Sequence, residues 1–294
     1  MFNPKFRRLK SATTVIPNVA NNEKNKNSPK KTMPIDGIRI SENTTHSIFY
    51  IDELSDEFKQ IIRDQLQGIW SGFSDIELLP EFYSYEKTLS SFLDRYNSKS
   101  DNTKKGMVGE LLSHILLGQQ DNNLTSLSIL KNKEERSIKK GFDIIYCEID
   151  NDKLWYSEVK SGAANTQSAT EYNDVLLKRA KDGIQLMIDE KRNSLWESAL
   201  FDVSATIKRN DGQLRLRELL SNDAPTMNTN QTKNVILISV LYHNLTDEID
   251  IDSVENFHNA VIAENNFLDA IVISIQKSTF LAVSDFLNNE ISVV

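Results

Sequence analysis

Asp143, Glu158 and Lys160 are residues whose types and spacing could do chemistry together. They lie in one stretch, KGFDIIYCEIDNDKLWYSEVKSG (residues 140–162), which reads as two short strands around a polar turn. Alternate residues of a strand share a face, so Asp143 goes with Ile145 and Cys147, and Glu158 with Tyr156 and Lys160. Any hairpin loop with an even number of residues brings both sets to one side. A loop of Asn151-Asp152 sets Asp143 opposite Lys160, and a loop of Asp150-Asn151 sets it opposite Glu158. Opposite charges on one side of an otherwise apolar hairpin need a reason.

A second acid comes from the segment TKKGMVGELLSHILLG, which has helical spacing and is expected to end near Gly118. Met107, Val108, Leu111, Leu112, Ile115 and Leu116 form its apolar face, with Glu110 at the border. Gly106 and Gly109 leave the backbone beside Glu110 uncovered, as expected where another backbone or a ligand approaches closely. A site holding Glu110, Asp143, Glu158 and Lys160 offers carboxylate oxygens, the donors that Mg²⁺ or Mn²⁺ prefers. Such an ion polarises a phosphodiester and lowers the pKa of water. A lysine among carboxylates keeps its proton, which suits orienting water and offsetting charge.

The remaining chemistry-bearing residues are quieter. The four histidines (His46, His114, His243 and His258) have no metal-ligand spacing, and Cys147 falls inside an apolar strand. Trp155 alternates with Tyr156 and Glu158, so it belongs on the opposite face of the sheet. Lys131, Lys133, Arg136, Lys139 and Lys140 precede Asp143, and Lys178, Arg179 and Lys181 follow the strand of Lys160. They flank the site where phosphate contacts would be needed. Gln167, just beyond the strand, is placed to meet substrate or bound water.

The elements that must position these residues follow an alternating order. Residues 52–70 and 76–96 read as helices, the second broken at Pro80, and a polar connector leads to the Glu110 helix. LTSLSIL, GFDIIYCEI and KLWYSEV read as strands. Residues 170–192 read as a long helix, and 195–220 as one or two more. NVILISVLYH (234–243) and DAIVISIQ (269–276) read as buried strands, the latter with helices on both sides. Helix, three strands, helix and strand make a mixed α/β domain with a central sheet.

The 294 residues are 39% hydrophobic and 26% charged, which predicts a folded core with polar appendages. Residues 1–40 hold nine Lys/Arg against two Asp/Glu and read as a basic, loosely docked arm. Residues 41–100 read as a helical N-terminal region, and 101–294 as the domain that carries the site. Residues 241–294 hold nine Asp/Glu and one Lys. The net charge of −8 argues against a freestanding nucleic-acid binder and suits a protein whose grip on nucleic acid comes from a partner. With no run of 18 apolar residues, no apolar leader and a single cysteine, a cytoplasmic location without membrane contact is expected.

A helix glutamate (Glu110), then Gly141-Phe142-Asp143, then Glu158-Val159-Lys160 resembles the PD-(D/E)xK nuclease superfamily, over roughly residues 103–240. The resemblance implies a restriction-endonuclease-like αβββαβ core with an N-terminal helical extension. It implies a divalent metal held by Asp143, Glu158 and the main-chain carbonyl of Val159, with Glu110 shaping or completing the site and Lys160 as catalytic lysine. In place of the usual proline before the aspartate stand Gly141-Phe142. More narrowly, Gly106-x-x-Gly109-Glu110-Leu-Leu, Gly-x-Asp and Glu-x-Lys resemble HamA, the nuclease subunit of the Hachiman anti-phage defence system. That resemblance implies DNA as substrate and a helicase as partner. Within this chemistry a restriction-type endonuclease is the alternative. Outside it stand a catalytically inactive nuclease fold serving DNA binding or assembly, and an unrelated interaction protein.

Overall fold

The run NVILISVLY is buried at all nine positions, and it forms the middle strand of a seven-stranded sheet. A strand covered on both faces has no polar alternation to show, hence its unbroken apolar character. The computed structural model describes residues 35–120, 123–131, 141–227 and 232–291.

Among these residues the elements run β1 (Ile38–Glu42), β2 (His46–Ile51), α1 (Asp56–Ser71), α2 (Phe73–Leu78), α3 (Tyr85–Asn97), α4 (Asp101–Gln120), β3 (Leu124–Ser126), β4 (Ile144–Glu148) and β5 (Lys153–Ala163). They continue with α5 (Ala169–Asp189), α6 (Asn193–Thr206), α7 (Asp211–Asp223), β6 (Asn234–Tyr242), α8 (Ile251–Ala263), β7 (Asp269–Lys277) and α9 (Leu281–Ile291). The sheet order is β1-β2-β7-β6-β5-β4-β3. β2, β7, β6 and β5 are parallel, while β1 and the β3–β4 pair close the two edges antiparallel. The fold is mixed α/β, as expected, and from α4 to β6 the order is helix, three strands, helix and strand with α6 and α7 inserted.

Helices cover both faces. On one, α1, α3, α4 and α9 pack Ile62, Phe92, Leu112 and Leu287 against Ile144, Val159, Ile238 and Ile275. On the other, α5 to α8 bury Ile184, Trp196, Leu220 and Val254 against Tyr156, Leu237 and Val272. Local signals start the helices. The Ser55 hydroxyl accepts the Phe58 N–H at 3.1 Å ahead of acidic Asp56 and Glu57. Ser168 and Glu171 form a reciprocal capping box at the start of α5.

The break expected at Pro80 is present as the gap between α2 and α3. Two features depart from the sequence reading. Residues 38–51, which carried no strand expectation, form β1 and β2, and β2 pairs with β7 from the far end of the chain. The core containing Phe58 and Leu89 also contains Val108, Val159 and Leu287, and Lys31–Val294 form one compact unit. The expected boundary near residue 100 therefore has no break in packing behind it. Most of the 1–40 arm lies outside the described residues. No described helix is long and apolar enough to cross a membrane.

Candidate active site

The β4–β5 ladder runs from Ile144↔Ser157 to Glu148↔Lys153, so four residues, 149–152, make the connection. The loop is even, and the register is the one centred on Asp150-Asn151. Asp143 therefore stands just before the last ladder pair and Glu158 just after it, so Asp143 comes across from Glu158 rather than Lys160. Asp152 takes a left-handed φ of 53° at the end of this turn.

Asp143 ends the ladder with its side chain. Its N–H still donates to the Ser157 carbonyl at 3.2 Å, while its Oδ2 accepts the Val159 N–H at 2.7 Å. The carboxylate thus takes the place that a main-chain carbonyl would fill if β4 continued. Phe142 fixes the approach to this point, buried against Tyr156 and Trp196 at ring separations of 4.6 and 5.2 Å. In a strand the N–H and C=O of one residue point to the same edge, so the Val159 carbonyl faces the edge where Asp143 lies. The sheet thereby gathers a carboxylate and a carbonyl oxygen at its own rim.

Glu158 and Lys160 point from β5 toward the α5 layer. Glu158 is 7% exposed and pairs through Oε1 with the Lys160 ammonium, and the lysine side chain is about a third exposed. The lysine covers a nearly buried carboxylate while its head reaches solvent. Gly183 of α5 lies directly over Glu158: a Cβ there would meet Oε1 at 3.2 Å. Trp155 faces the other way, into the α4 core, as alternation requires.

Glu110 comes from the other layer. α4 packs on the face of Val159 and Val240, and a Cβ on Gly109 would come within 2.0 Å of the Ser161 hydroxyl. The close approach expected at Gly109 is therefore strand against helix, whereas Gly106 faces open space. Glu110 is half-buried beside Gly109. Among the described residues no group of three or more His, Cys, Asp or Glu is arranged to hold a metal.

Other expected residues are placed as follows. His114 is buried with Nδ1 3.4 Å from the Ser126 hydroxyl. Cys147 is buried core, and burial pushes its thiol up to about 12, which keeps it unreactive. Lys178 is exposed and pairs with Asp182 at 2.5 Å, Lys181 pairs with Glu264, and Arg179 is exposed. Gln167 is exposed in the loop between β5 and α5. Lys139 and Lys140 lie outside the described residues, as do Lys133 and Arg136.

Sequence reasoning passed over Gly183, and also a buried polar string behind the site. The Trp196 indole donates to the Tyr156 hydroxyl at 3.0 Å, which donates to Asp223 at 2.6 Å, and Asp223 pairs with buried Lys233 at 2.7 Å. The string locks α6, α7 and the start of β6 to β5, two residues from Glu158. Residues 28–287 of the chain match the HamA family. No match is found among curated proteins.

Proposed function

The chain belongs to the HamA family, and from that premise we propose that it is a divalent-metal-dependent DNA nuclease, the effector subunit of a Hachiman anti-phage defence complex that works beside a helicase. The observation that carries the nuclease reading is the pairing of Asp143 and Glu158 across the end of the β4–β5 ladder, with Lys160 on Glu158 and the Asp143 carboxylate on the Val159 amide. The order of elements from α4 to β6 supports assigning this region to the PD-(D/E)xK superfamily.

The donor set fits a hard cation. Two carboxylates and a main-chain carbonyl are oxygen donors of the kind Mg²⁺ and Mn²⁺ take, leaving further positions for water. Asp143, Glu158 and the Val159 carbonyl would hold the ion, with Glu110 shaping or completing the site. When bound, the ion supplies Lewis-acid polarisation of the phosphodiester and makes water a better nucleophile. The chain's own residues do the rest. The Val159 amide fixes one Asp143 oxygen, so the other is presented in one orientation. Lys160 offsets the charge of Glu158 and, from its partly exposed position, orients water or the scissile phosphate.

DNA is engaged jointly. Lys178 and Arg179 are exposed on α5, and an exposed ion pair such as Lys178–Asp182 is weak enough for a phosphate to displace. Gln167 is exposed in the loop where β5 passes into α5. A chain of net charge −8 gains little from counterion release on its own, which favours a helicase partner that delivers the strand. The test is plasmid cleavage in Mg²⁺ or Mn²⁺ by wild type and by Glu158→Ala/Lys160→Ala, with and without a Hachiman helicase subunit. Metal-dependent cutting that needs the helicase and vanishes in the double variant is expected. Equal cutting by both proteins would remove the site assignment.

A further inference from the structure

We propose that Gly183, in the interior of α5, is a positioning residue for Glu158: its missing side chain lets the Glu158 carboxylate lie closer to the helix than a Cβ would readily allow. This inference rests on the reading of Glu158 as a metal ligand.

The case begins with an element that ought to reject glycine. α5 runs 21 residues with an apolar face and a capping box, and glycine in a helix interior is disfavoured relative to alanine. What a side chain would meet there separates Gly183 from Gly109 and Gly162, the two glycines at which β5 packs closely on its covering helices. A Cβ on Gly109 would strike Ser161 and Val240, and a Cβ on Gly162 would strike Tyr172 and Leu176. Each of those lets an element seat against its neighbours. At Gly183 the three nearest atoms all belong to Glu158: Oε1 at 3.2 Å, Cδ at 3.6 Å and Cγ at 3.6 Å. The space serves one carboxylate.

The oxygen nearest the missing Cβ is the one that pairs with Lys160. An alanine at 183 presses on Oε1 alone, turning the carboxylate about Cγ or pushing it toward the lysine. Either movement changes where the second Glu158 oxygen points, while Asp143 and the Val159 amide stay in place. A few tenths of an ångström decide the outcome, because ion coordination tolerates little drift in a donor.

The experiment has two arms. The first needs no activity. The thermal midpoint is measured for Gly183→Ala in wild type and in a Glu158→Ala background. The alanine is expected to lower the midpoint, or leave it unchanged, where Glu158 is present. It is expected to raise the midpoint where the glutamate is gone, because only helix preference then remains. A rise of the same size in both backgrounds would overturn the contact.

The second arm measures Mn²⁺ binding to the apo protein by titration calorimetry, together with cleavage in the presence of the helicase. Gly183→Ala is expected to weaken Mn²⁺ binding and slow cleavage by about tenfold each. The loss should be several-fold smaller when Glu158→Asp shortens the carboxylate. Wild-type Mn²⁺ affinity and rate in Gly183→Ala would overturn the positioning role. If wild type itself binds no Mn²⁺ and Glu158→Ala changes no property but the midpoint, the metal-ligand reading fails. The first arm then still reports whether the contact exists.

Discussion

The Asp143 carboxylate accepts the Val159 main-chain N–H at 2.7 Å, ending the β4–β5 ladder with a side chain instead of a carbonyl. One residue thus has two duties, to satisfy a buried amide and to carry charge, and two substitutions separate them. Asp143→Asn keeps an acceptor for the amide and should hold stability near wild type while removing metal binding. Asp143→Ala orphans the amide and should cost about 2 kcal/mol in chemical denaturation, the range for a charge-assisted hydrogen bond in a buried site. Equal stability of the two variants would contradict this division.

Removing Lys160 alone takes a counter-charge away from Glu158. Glu158 is 7% exposed, so Lys160→Ala should lower stability by about 2 kcal/mol, less than for a fully buried pair because the lysine is partly exposed. Removing both groups should restore part of that loss, since the carboxylate that lost its counter-charge is then gone as well. Urea titrations of the two single variants and the double variant measure the coupling. Simple additivity would mean that the two groups do not share a site.

Gly109 sets how closely α4 can lie on the sheet. Gly109→Ala places a Cβ 2.0 Å from the Ser161 hydroxyl and 3.3 Å from Val240. A loss of about 1–3 kcal/mol is expected, the range for forcing extra volume into a packed interface. Adding Ser161→Gly removes the nearer obstacle and should recover part of it, as thermal melts would show.

Acid should loosen α9 from α1. Arg63 donates to both oxygens of Glu290, at 2.7 and 3.0 Å, and this holds the Glu290 carboxyl below the usual carboxylate range. A carboxyl with a depressed folded-state pKa contributes stability that is present above its unfolded pKa, about 4.3, and is lost as pH falls through the lower folded value. The stability gap between wild type and Glu290→Gln should therefore be near 1 kcal/mol at neutral pH and shrink below about pH 4. A gap that stays constant into acid would show that the ion pair contributes nothing.

How legible the site was depends on whether its geometry is local. Asp143, Glu158 and Lys160 could be brought together from strand alternation because a short hairpin with an even loop fixes faces and register within twenty residues. Glu110 could be put at the edge of a helix face, but which side of the sheet that helix covers depends on β6, over a hundred residues later. β2 was overlooked for the same reason, since its partner β7 lies more than two hundred residues away. Gly183 reads in sequence as an ordinary helix imperfection, and only the fold shows whose carboxylate lies against it. Buried β6 and β7 were plain because strands covered on both faces are apolar throughout.

The most direct test of the central claim compares wild type with Asp143→Asn in a plasmid-nicking assay. It uses Mn²⁺ and the helicase, after matching thermal midpoints show that both are folded alike. Metal-dependent cutting by wild type and a loss of at least a hundredfold in Asp143→Asn are the predicted result. Cutting by Asp143→Asn at the wild-type rate would contradict the account, because the residue that closes the ladder would then carry no catalytic charge.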